Sequence, residues 1–131
     1  MPYHNIEIFI EKLLKKSLLG MVKWEPTADE NVFKVTFSKY IVTISKHSER
    51  DIEENKFSYD EEDYSYYVLS LYNIKEILID RISDTDLVDQ IEDAHSYFKG
   101  IYDSARRISM GIDEVIEELI DELGEDGKKV P

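Results

Sequence analysis

Ile6, Ile10, Leu13 and Leu14 recur at helical spacing near the start of the chain, with Phe9 and Leu18 widening the stripe. Glu7, Glu11, Lys12, Lys15 and Lys16 are left for water. The pattern predicts an amphipathic helix over residues 5–19, with Asn5 as its N-cap and Gly20 as the left-handed residue that ends it. From Met21 the period falls to two: Val22 and Trp24 alternate with Lys23 and Glu25 until Pro26, which has no amide hydrogen for a ladder. A short edge strand is predicted there. Phe33, Val35 and Phe37, then Tyr40, Val42 and Ile44, predict two strands about Ser38-Lys39. That pair lacks the Gly or Asn that two-residue hairpin loops favour, so one long bent strand is the alternative. YSYYVLSLYN (64–73) and KEILIDRI (75–82), joined by a turn near Asn73-Ile74, complete an antiparallel meander of about five strands.

The last third reads as helix. Leu87, Ile91, Ala94, Phe98, Ile101, Ala105 and Ile108 follow alternating four- and three-residue steps, a seam on one helix over residues 86–109 after the capping candidates Ser83, Asp84 and Thr85. Gly111 interrupts it. Ile112, Val115, Ile116, Leu119, Ile120 and Leu123 then make a second stripe, opposed by Asp113, Glu114, Glu117, Glu118, Asp121 and Glu122, with Asp113 able to cap the new helix. The fold class expected is α+β: an N-terminal helix, the meander, and two C-terminal helices packed on one face, in a single domain over residues 1–131. A helix over 86–109 would span ~36 Å, whereas a six-residue strand covers ~20 Å, so part of the seam would overhang the sheet. A homodimer through the C-terminal helices is one way to cover it.

Composition changes this picture in three ways. The 29 acidic residues against 16 Lys+Arg give a charge of −13, which opposes binding to free nucleic acid. The charge is uneven: seven lysines against five carboxylates leave residues 1–46 at +2 and the remainder at −15. Residues 47–63 hold eight carboxylates with only Ile52 and Phe57 as strong hydrophobes, and read as a mobile acidic loop; GEDGKKVP (124–131) reads as a frayed tail. The absence of cysteine excludes disulfides, thiolate zinc sites and a cysteine nucleophile. No apolar run suits a membrane span and the N-terminus carries no export signal, so a soluble cytoplasmic protein without membrane partners is expected.

Few residues suggest chemistry. Glu92 and His95 form a Glu-x-x-His on the long helix, but a di-iron bundle needs a second copy and further carboxylates, so no metal and no cofactor is expected. The acidic loop lacks the order of a calcium loop, and no phosphate-cradling or nucleophile-elbow motif occurs. Arg106 and Arg107 suit the negative end of a helix dipole, or else form a fork that contacts a partner. Strand alternation sends Tyr64 and Tyr66 to one face and Tyr67, Leu69 and Leu71 to the other, making the first face a candidate interface.

The chain resembles a group of small, uncharacterised bacterial proteins. Its members share a Gly-x-x-x-Trp first strand, matched by Gly20 and Trp24, and an Ala-Arg-Arg-x-x-x-x-Gly-x-Asp block, matched by Ala105, Arg106, Arg107, Gly111 and Asp113. The likeness covers most of the chain except the acidic loop, and departs from it at Lys75-Glu76, where the group has a glycine in the second hairpin turn. It implies a stand-alone module with no established activity, encoded near mobile elements or defence genes.

These readings lead to a non-enzymatic module that binds another protein through Tyr64, Tyr66, Arg106, Arg107, Glu114 and Glu118, with no catalytic residue. Two alternatives follow from the same sequence. One is an acidic inhibitor, antitoxin-like, whose carboxylates imitate a nucleic-acid backbone. The other is a carboxylate-based hydrolase with a site between sheet and long helix.

Overall fold

The computed structural model describes residues 3–48, 65–127 and 129. Helix α1 (Tyr3–Leu18) precedes strands β1 (Glu25–Pro26), β2 (Val32–Thr36), β3 (Tyr40–Ser48), β4 (Ser65–Asn73) and β5 (Leu78–Ser83); a 3₁₀ turn (Thr85–Leu87) then leads to α2 (Ala94–Ser109) and α3 (Ile112–Leu123). The strands pair in chain order as one antiparallel sheet, so the architecture is the α+β meander expected. None of the described helices is long and apolar enough to cross a membrane.

Register fixes which side chains share a face. Phe33 lies opposite Ile44, Ile44 opposite Leu69, and Leu69 opposite Ile82, so these four point to one side. They are buried there beneath α2, whose Phe98 and Ile101 have no exposed surface. Helix α1 lies beside α2 and adds Ile10 and Leu13 to the same core. The helices approach closely at Gly100, where a methyl group would stand 2.8 Å from Leu14 Cδ1. Trp24 belongs to the core: it is buried, and its indole N–H donates to Ser17 Oγ over 2.9 Å.

Several boundaries differ from expectation. Asn5 lies inside α1 and is not its cap, but Gly20 does take a left-handed conformation (φ 73°), and the Met21 amide closes the end on Lys16 O at 2.9 Å. The first strand shrinks to Glu25–Pro26. Val22 and Trp24 still point inward, although they precede the ladder, and Pro26 sits on the edge where its missing donor costs nothing. Ser38-Lys39 does form a tight turn, with the Phe37 amide donating to Tyr40 O at 2.8 Å; both residues keep negative φ, so no glycine is needed. His47 and Ser48 belong to β3, not to the acidic loop, the rest of which lies outside the described residues. The final part of the expected frayed tail lies outside them too.

The largest difference is the long helix. Asp93 adopts φ 64°, which an α-helix cannot accommodate, so α2 begins at Ala94 and residues 85–93 form turns. Leu87 and Ile91 are nevertheless buried, because the turns hold them against the same core. Overhang therefore reverses. A 16-residue helix is ~24 Å long and the nine-residue strands β3 and β4 are ~30 Å, so the sheet outruns the helix. Phe37, Tyr40 and Ile79 at that end remain exposed around an apolar groove floored by Val42 and Leu71.

Candidate functional site

Helix α3 is built like a packing element yet packs against almost nothing. Its apolar positions recur in steps of three and one, which places them on a single face. Val115, Ile116, Leu119, Ile120 and Leu123 on that face are 43–60% exposed, and no residue of the helix is buried. The cause lies at the junction with α2. Gly111 takes φ 61°, a left-handed turn that ends one helix and starts the next, and sends α3 away from the sheet. Asp113 does not cap α3; Gly111 occupies that position, and Asp113 instead accepts a hydrogen bond from Arg107 Nη2 at 2.7 Å, tying the two helices across the turn.

The flanks of the stripe carry one sign of charge. All six polar residues of α3 are carboxylates, and no cation lies on the helix. Glu114 and Glu118 are therefore exposed members of the acidic face that backs and flanks the apolar stripe. At the end of α1, Leu18, Leu19 and Met21 are 61–67% exposed, although Leu18 had been expected to widen the core stripe of that helix. Leu18 shares a cleft with Arg107, Ile108, Asp113 and Glu114.

The other sequence-derived candidates are dispersed. Tyr64 lies outside the described residues. Tyr66 sits on the sheet face away from the helices, half-buried, with its ring stacked on His47 at 5.1 Å between centroids, and His47 Nε2 shares a hydrogen bond with Ser45 Oγ at 2.8 Å. Arg106 and Arg107 do not form a fork. Arg107 turns to Asp113, whereas Arg106 turns to a cavity of about 490 Å³ that it lines with Asn31, Lys46 and Tyr102. Burial pushes the Tyr102 phenol above its usual pKa, with Arg106 opposing the shift.

One polar cluster escaped the sequence reading. Asp84, with its side chain 2% exposed, accepts from His95 Nδ1 at 2.6 Å and from the Tyr67 amide at 3.2 Å. His95 thus has Asp84 as its partner, eleven residues away, and not the Glu92 that shares its local spacing. The only forewarning was the polar triplet Ser83-Asp84-Thr85, which read as a cap. Such a pair fixes the imidazole tautomer, as a general base requires, but among the described residues no hydroxyl nucleophile bonds to Nε2. The pair instead ties the start of α2 to β4.

No protein-family profile, curated protein or solved structure matches the chain. The site's meaning rests on its geometry.

Proposed function

We propose that the chain is a non-enzymatic protein-binding module whose recognition element is α3. One observation carries the reading: a helix with a continuous apolar face leaves five of its six apolar residues exposed, and such faces on folded proteins mark sites where another polypeptide docks. The acidic face then selects the partner's charge, favouring an apolar stripe or groove rimmed by Lys and Arg. Mimicry of a nucleic-acid backbone would need the carboxylates alone and would gain nothing from Leu119 or Ile120, so the stripe favours a protein partner. The Arg107–Asp113 pair and Gly111 set the angle at which the stripe is offered.

The test uses Ile116→Asp/Leu119→Asp, which alters only side chains already in water and leaves the helical content and melting temperature near those of the parent. Affinity capture from host extract with parent and variant in parallel should retain a set of proteins on the parent alone. Identical retention by both would remove α3 as the recognition element.

A further inference from the structure

We infer that the cavity between the end of β3 and α2 binds a phosphate group, with Lys46 and Arg106 as its cations and Tyr102 and Asn31 as hydrogen-bond donors. The site is separate from α3, none of whose residues lines it. Two elements assemble it. Tyr102 and Arg106 are one turn apart on α2 and share a helix face. Lys46 follows the buried Val42 and Ile44 at alternate positions of β3, which turns it to the side of the sheet that α2 covers. Its amide donates to Asn31 O at 3.1 Å and so brings the loop before β2 against the end of β3. The space they line, about 490 Å³, suits a small phosphorylated molecule.

Tyr102 is the residue that calls for a ligand. It is 5% exposed, its ring held edge-on to Phe33 at 5.5 Å between centroids and tilted against Tyr67 at 5.4 Å. Its hydroxyl bonds to no described group and is not sealed into the core, which leaves it only the contents of the cavity to bond. Burial holds the phenol above its usual pKa, against the pull of Arg106, and keeps it a donor. The charges are uncommitted as well. Lys46 is half-buried and Arg106 exposed, and neither makes an ion pair among the described residues, although carboxylates outnumber Lys and Arg by 29 to 16. Asp103 on the cavity wall is engaged by Lys99 at 2.9 Å. Asp29 and Glu30 line a neighbouring cavity that Arg106 also borders, and they do not pair with it. His47 borders the site too, but its ring is stacked on Tyr66 and bonded to Ser45. Two free cations match the double charge of a phosphate monoester, whereas a carboxylate would leave one of them unmatched.

Titration of the isotope-labelled full chain with inorganic phosphate at constant ionic strength, followed by amide chemical shifts, tests the assignment. Saturable shifts centred on Asn31, Lys46, Tyr102 and Arg106 are expected, and acetate should bind roughly tenfold more weakly. Lys46→Gln and Arg106→Gln should each weaken phosphate binding by roughly tenfold and leave the melting temperature near that of the parent, since neither side chain belongs to the core. Tyr102→Phe should weaken it by about fivefold or more. Lys12→Gln removes the same charge from the exposed side of α1 and should change nothing. Shifts that never saturate, shifts scattered over every lysine-bearing surface, or equal affinity in Lys12→Gln and Arg106→Gln would overturn the site. Acetate that binds as tightly as phosphate would overturn the assignment of its ligand.

Discussion

Phe98 has no surface in water and sits in the middle of the α2 face that meets the sheet. Truncating it leaves a cavity that neighbours on two layers cannot fill together. Phe98→Ala should cost ~3–5 kcal/mol in urea-induced unfolding, and a cost below ~1 kcal/mol would contradict its place in the core. Tyr102 makes a different kind of prediction. Its phenol is raised above the ordinary value by burial, so the unfolded chain loses that proton first as pH rises. Stability from this residue is complete below pH ~10 and declines as pH climbs towards the folded-state pKa. The unfolding free energy of Tyr102→Phe should therefore fall less steeply above pH ~10 than that of the parent. Curves of equal slope would show that the ring is no more burdened than a solvated tyrosine. The burial of Phe98 was legible from its place in the seam, since spacing alone puts it on the inner face. The bond between Asp84 and His95 was not, because it joins two elements and neither local spacing nor composition reports a meeting between them.

At the scale of elements, the same distinction separates what the pattern could say from what it could not. Periodicity found all seven seam residues from Leu87 to Ile108, and six of them are buried. It could not find where the helix begins, because turns that hold Leu87 and Ile91 against the core satisfy the same hydrophobic spacing. The decisive event is a backbone angle at Asp93, which hydropathy does not encode. The second hairpin shows the converse. Lys75-Glu76 offers the turn no glycine, and Glu76 stands at φ 65°. The turn is held by Asn73 Oδ1, which accepts from the amides of Lys75 at 2.9 Å and Ile77 at 3.0 Å. Glu76→Gly should therefore raise stability by ~1 kcal/mol through relief of that conformation, measured by chemical denaturation. A loss on substitution would mean that the carboxylate supports the turn in some other way.

At the scale of the whole molecule, two sides of the sheet are finished differently. Strand β1 is two residues long and one of them is Pro26, so no further strand can form a ladder along it. Strand β5 offers six residues, of which Leu78, Ile79, Asp80 and Arg81 are exposed, and only the bulge opposite Leu71 and Tyr72 disturbs its pairing with β4. The charges of Asp80 and Arg81 are what keep that margin from acting as a template for another chain. Asp80→Val should bring on thioflavin-positive aggregates under conditions in which the parent stays clear, while the same change at Glu25 on β1 should not. If both variants aggregate alike, the asymmetry has no bearing on growth. Whatever extends this sheet, in the cell or in a failed preparation, has one margin to start from. A short proline-bearing strand has closed the other.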